Sequence, residues 1–145
     1  MNIVRSLTLV SFVIALSGLA SEFRLATPGY HFQFPRDHGS HDEYKTEWWY
    51  FTGHLRTESG RRFGFELTFF RVGIASPGTV AQTPWDLQHL ALAHFAVTDV
   101  GGRKFRYHEK LNRMSPFTAS ATAGRLDVFN EGWRAATAAD GSWIL

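Results

Sequence analysis

A chain of 145 residues, 44% hydrophobic and 19% charged, has the composition of one globular domain or of part of a larger one. Its formal net charge is only +2, with acidic residues spread among the basic ones, which leaves no basic stripe for nucleic acid and no charged tail. The absence of cysteine excludes disulfides, a cysteine-linked lipid anchor and a cysteine nucleophile, so stability rests on a core for which the 15% of aromatic residues supply the material.

Arg5 is the only charge before Glu22, and the apolar stretch Leu7 to Leu19 is too short to cross a hydrocarbon layer of roughly 30 Å comfortably. A positive start, a short apolar centre and small residues at Gly18 and Ala20 predict a secretory signal peptide, Met1–Ala20, cut after Ala20. A membrane anchor or a buried N-terminal strand are the alternatives. Cleavage leaves 14 basic against 13 acidic residues, a nearly neutral chain exported to the periplasm or beyond the cell, with no stable membrane span.

From Ser21 onward the pattern predicts strand, turn, strand. Tyr30–Phe34 alternates briefly and Pro35 stops it. Lys45 to Thr57 is a long β-prone run, closed by the turn signal "ESGRR". The run "FGFELTFFRVGI" returns as its hairpin partner, with Phe63, Phe65, Leu67 and Phe69 on one face. Ala75–Asp86 is a loop punctuated by proline and glycine. Gln88–Val100 is a third strand, Gly101-Gly102 a two-residue turn, and "RKFRYHEKL" a fourth strand. The stretch "NRMSPFTASATAG" reads as a loop or marginal helix, and short strands follow around Asn130–Gly132 and Asp140-Gly141. The fold class is therefore all-β and antiparallel, a sandwich or small barrel. The chain stops at Trp143-Ile144-Leu145 as another strand begins, which predicts that more chain belongs beyond it.

The residues that carry chemistry crowd into Phe34–Leu55, "FPRDHGSHDEYKTEWWYFTGHL". Alternation places Glu47, Trp49, Phe51 and Gly53 on one face and Trp48, Tyr50, Thr52 and His54 on the other. Facing apolar rings, Glu47 would lose hydration, stay protonated and act as an acid, with the rings stabilising a resulting cation. With a suitable register it would instead lie opposite Arg71 in a salt bridge. In the preceding loop, Asp37, His38 and His41 fit three roles: metal ligands, general acid–base groups, or hydrogen-bonding groups that fix the loop. Counting back from the Gly101-Gly102 turn places His94 opposite Glu109, either a structural pair or part of a polar patch in a cavity. No nucleophile elbow, phosphate loop or dinucleotide fingerprint appears, and no cofactor is expected.

The string "FPRDHGSHDEYKTEWWYFTGHL", followed by "FGFELTFFR" and "LAHFAVTDV…GRKFRYHEKLNR", resembles the exported lipocalin-like proteins. These include AttH-like proteins and the N-terminal part of carotenoid 1,2-hydratase (hydroxyneurosporene synthase), a group often labelled predicted secreted hydrolases. The resemblance runs from Pro28 to the C-terminus. It implies a two-barrel protein of which this is the N-terminal lipocalin-like barrel, residues 21–145, with the C-terminal barrel missing. It also implies an apolar small-molecule ligand, isoprenoid- or lipid-like, hydrated, cyclised or hydrolysed by acid catalysis. Carried over by position, Asp37, His38, His41 and Glu47 are the catalytic candidates and Trp48, Trp49 and Tyr50 shape the pocket, with His94 and Asp99 in the second stretch. Two rivals stand beside this reading: a non-catalytic lipid carrier, and a metal-dependent hydrolase using Asp37, His38 and His41.

Overall fold

The computed structural model describes residues 22–145, so the expected signal peptide lies outside the described residues. After a short 3-10 helix at Arg36–His38, strands β1 (Thr46–Arg56), β2 (Arg62–Gly73), β3 (His89–Asp99) and β4 (Lys104–Arg113) form an antiparallel meander in that spatial order. Four shorter strands form a second antiparallel meander: β5 (Ala119–Ala121), β6 (Asp127–Asn130), β7 (Trp133–Thr137) and β8 (Trp143–Ile144). Among the described residues there is no α-helix, and no pairing closes the two sheets into a single ring.

The long strands form where aromatic and β-branched residues run without a break, and the period-2 pattern selects their inner face. In β1 exposure alternates residue by residue, turning Glu47, Trp49 and Phe51 inward and Trp48, Tyr50 and Thr52 outward. The inner face of the first sheet contributes Leu67, Phe69 and Ala93 to the core, and the second sheet contributes Leu126, Val128 and Ala135. Trp49, Phe51, Phe95 and Trp133 pack around them. Ala93 and Ala135 are fully buried, and their small side chains let β6 lie close across β2 and β3. One polar side chain crosses the seam. Asn130, fully buried, donates to the Ala91 carbonyl at 3.2 Å and accepts from Asn112 at 2.7 Å, so neither amide is left unsatisfied.

Three local expectations change. Tyr30–Phe34 lies outside the strands, and its rings stack on one another instead: Tyr30 edge-on to Phe32, and Phe32 parallel to Phe34. The β3–β4 turn spans Val100–Arg103 rather than two glycines, because the Asp99 carboxylate accepts the Gly102 N–H at 2.9 Å and Arg103 takes a positive φ of 48°. The widened turn leaves the count unchanged, and His94 does face Glu109. The segment after β4 is not helical. The Ser115 and Thr118 hydroxyls close a tight turn there, and the chain enters β5 at once.

Candidate functional site

Loop 37–41 is fixed before it meets the strand. Ser40 donates from its backbone N–H to the Thr122 carbonyl at 3.0 Å, tying the loop to the β5–β6 connection. The glycine between the two histidines is required by that approach. A Cβ on Gly39 would lie 2.7 Å from both the Ala123 carbonyl carbon and the Arg125 nitrogen, and closer still to the Gly124 nitrogen. The D-H-G-S-H spacing thus delivers two histidines from a loop whose middle rests on backbone.

The two histidines separate at once. His38 stacks on Phe34, with centroids 4.3 Å apart, and meets Trp143 edge-on at 5.2 Å. It belongs to a ring series that continues through Trp143 to Phe51. His41 turns instead toward two carboxylates. Its Nδ1 is 2.8 Å from Glu47 Oε1 and its Nε2 is 3.4 Å from Asp37 Oδ1. Burial of the ring opposes its charge, but the hydrogen bonds to Glu47 and Asp37 and their negative charge outweigh that and raise its pKa above the ordinary imidazole value. The doubly protonated ring is the form that offers a donor to each of these two acceptors.

Each carboxylate is held in turn. Asp37 accepts from Arg36 Nε at 2.6 Å, the Gln33 N–H at 2.7 Å and the Tyr30 hydroxyl at 2.9 Å. These donors, led by the Arg36 guanidinium, hold its carboxyl well below the usual carboxylate range. They screen its side chain from water without a packed core behind them. Glu47 lies opposite Arg71 in the β1–β2 register. It accepts from Arg71 Nε at 2.9 Å and from the His41 backbone N–H at 2.9 Å. The arrangement is the salt-bridge alternative for this residue, with the Arg71 guanidinium and the His41 backbone N–H both donating to it.

Arg71 is the hub, with a side chain only 1% exposed. Besides Glu47 it donates to the His41 and Tyr44 carbonyls at 2.9 and 2.6 Å, and to His89 Nδ1 at 3.2 Å. Since a guanidinium only donates, His89 accepts at Nδ1 and is neutral; burial and the Arg71 charge lower its pKa. The network Asp37–His41–Glu47–Arg71–His89 therefore joins loop, β1, β2 and β3, and no buried side-chain polar atom among the described residues lacks a partner.

This network borders a cleft of about 840 Å³ walled by Tyr30, Phe32, Trp48 and Trp49. Trp49 is anchored from within, its Nε1–H donating to the His38 carbonyl at 2.9 Å. The remaining candidates lie elsewhere. Tyr50, His94 and Glu109 share one cross-strand row on the outer face, with Thr68 between Tyr50 and His94. Asp99 pairs with Arg61 at the far end of the sheet. Asp37, His38 and His41 do not converge as a ligand set, and no cluster of three His, Asp or Glu suited to a metal occurs among the described residues. Sequence reasoning missed His89, Tyr30 and Arg36. The hydroxyl and guanidinium in "YHFQFPRD" were a legible signal for the last two, since each can donate to a neighbouring carboxylate.

Fold and site together define an antiparallel two-sheet β protein with a histidine set between two carboxylates at the edge of an aromatic cleft. The sequence profile of the AttH-like family matches residues 25–144, and the chain belongs to that family. It is similar to a crystal structure assigned as AttH from Nitrosomonas europaea, with 29% identity and a TM-score of 0.66 over 83% of this chain. The chain spans 35% of the length of that protein. No curated protein matches it.

Proposed function

We propose that the full-length protein binds an apolar, isoprenoid- or lipid-like molecule in the aromatic cleft and passes it a proton from His41. The observation that carries this is the imidazole set between two carboxylates at the edge of a cleft walled by rings. The two contacts are unequal. Nδ1 is held at 2.8 Å by Glu47, which Arg71 fixes in place, whereas Nε2 meets Asp37 at only 3.4 Å. The Nε2 proton is therefore the one that redirects into the cleft, with Glu47 in the orienting role.

With an alkene, the Nε2–H bond breaks as a C–H bond forms, leaving a neutral imidazole and a carbocation facing the rings of Trp48 and Trp49. Water capture and return of a proton to Nε2 complete a hydration. Capture by a second double bond, then loss of a proton to Nε2, completes a cyclisation. With an ester or ether, the same proton goes to the leaving oxygen and water supplies the nucleophile. In this reading the chain is exported by its N-terminal segment, and its two sheets are part of a lipocalin-like barrel that a second barrel accompanies. The 35% coverage of the Nitrosomonas europaea protein supports a longer whole.

A second reading, a carrier without chemistry, is favoured by a separate space of about 460 Å³ between the sheets, lined by Leu55, Phe65, Leu67, Phe95 and Trp133. Its one charged lining residue, Arg134, is already paired with Asp127. The discriminating experiment incubates the full-length protein with an acyclic isoprenoid alkene in heavy water and reads deuterium on carbon by mass spectrometry. A fluorescent polyene fatty acid reports binding in parallel. Deuteration that His41→Gln abolishes while binding persists supports proton transfer. Binding without deuteration by the natural protein favours the carrier, and absence of both removes the two readings together.

A further inference from the structure

The two ends of the first sheet differ in kind. At one end the β1–β2 and β3–β4 turns carry Glu58, Arg61 and Arg103, and Arg61 pairs with Asp99. At the other end the β2–β3 loop emerges between Gly73 and His89, and the β4–β5 loop leaves from Arg113, which pairs across β3 with Leu90. Residues 74–85, "IASPGTVAQTPW", and 114–124, "MSPFTASATAG", contain no charge at all. Each presents an aromatic side chain to solvent almost entirely: Trp85 is 79% exposed and Phe117 93%, and Val80 in the first loop is 74% exposed.

These rings stand on turns whose own side chains accept several of the backbone N–H groups. The Asp86 carboxylate, the single acid in the neighbourhood of Trp85, is folded back onto the Gln82 and Thr83 N–H groups at 2.6 and 3.2 Å. The Ser115 hydroxyl accepts the Phe117 and Thr118 N–H groups at 3.3 and 3.2 Å, and the Thr118 hydroxyl donates to the Arg113 carbonyl at 2.7 Å. Arg113 links the two loops, donating to the Pro84 and Asp86 carbonyls while its guanidinium lies 5.9 Å from the Trp85 ring centre. Uncharged segments carry no ion into a low-dielectric layer, and Trp and Phe above an arginine belong at the headgroup boundary. Two rings this exposed, on segments with no charged side chain, suit a deformable lipid layer, which asks for no matching polar contacts.

We infer that the uncharged segments 74–85 and 114–118 form a lipid-surface anchor, with Trp85 and Phe117 as the inserting side chains. The candidate cleft lies at the same end of the sheet, since Thr46 and Glu47 pair with Val72 and Arg71 just before the first loop. The anchor nevertheless stands independently of any proton transfer by His41.

The test is sedimentation of the full-length protein with phosphatidylcholine vesicles, with brominated lipid as a quencher of tryptophan fluorescence. The protein should bind, binding should change less than about twofold in about 1 M salt, where the screening length is roughly 3 Å, and fluorescence should be quenched. The double variant Trp85→Ser with Phe117→Ser should lose at least about tenfold in partitioning with an unchanged melting curve. Trp85→Phe should keep binding and lose most of the quenching. Four results would each overturn the anchor. They are no binding by the natural protein, equal binding by the double variant, binding abolished by salt, or Trp85 shielded from an aqueous quencher in the vesicle-free protein because the rest of the chain covers it.

Discussion

Strand β1 sends neighbouring residues to two different chemistries. On its inner face Glu47 joins a network in which nearly every donor has an acceptor, built around an arginine that is 1% exposed. On its outer face Tyr50 shares a row with His94 and Glu109, which face each other in the register and remain exposed. Both regions combine imidazole, carboxylate and aromatic ring, so composition does not distinguish them. Enclosure does: loop 37–41 folds over the first, whereas in the second only Thr68 is buried and Tyr50, His94 and Glu109 stay exposed. A histidine near a glutamate becomes a poised group only where a second element fixes its orientation and excludes water.

The comparison breaks most easily at the hub. Arg71→Met removes the guanidinium that neutralises Glu47 and satisfies two backbone carbonyls, and should cost roughly 3–5 kcal/mol in urea unfolding. A loss below about 1 kcal/mol would show the network to be ornamental. Glu47→Gln keeps the shape but replaces charged hydrogen bonds with neutral ones, and should cost about 1.5–3 kcal/mol. Its effect should depend on pH. The folded-state pKa of His41 is raised, so its stabilising contribution is complete below the unfolded value of about 6.5 and is lost as pH rises through the higher folded one. His89, with a lowered pKa, acts in the opposite sense, its contribution disappearing as pH falls. The difference between natural protein and variant, followed by urea midpoints from about pH 5 to about pH 9, should therefore shrink toward the alkaline end. Gly39→Ala drives a methyl into the β5–β6 backbone and should cost about 1–3 kcal/mol, with a disturbed His41 resonance as its signature. At the small end, His94→Ala and Glu109→Gln should each stay within about 0.5 kcal/mol, because both side chains are exposed. A larger loss there would mean that the row is covered and that the contrast between the faces is false.

Much of this was legible in the chain. The four long strands, the inward Glu47 and Trp49, the His94–Glu109 pairing and the Glu47–Arg71 alternative all follow from alternation and counting across turns, which are local. The convergence of Tyr30, Arg36 and the Gln33 N–H on Asp37 was not, although each lies within seven residues of it, because it depends on an irregular segment. Nor was the division of labour between His38 and His41. It is decided by Trp143, more than a hundred residues away in sequence, which claims the His38 ring. The second sheet shows in the sequence only as scattered short strands because its elements are two to five residues long, too short for periodicity to register.

The central claim is that His41 is held as an imidazolium between Glu47 and Asp37. It is tested most directly by an NMR titration of the His41 ring nitrogens in the natural protein and in Glu47→Gln. The account predicts that His41 titrates above the ordinary imidazole value of about 6.5 with both nitrogens protonated below the midpoint, and that the midpoint falls in the variant. A midpoint at or below the ordinary value, or one that Glu47→Gln leaves in place, would contradict it.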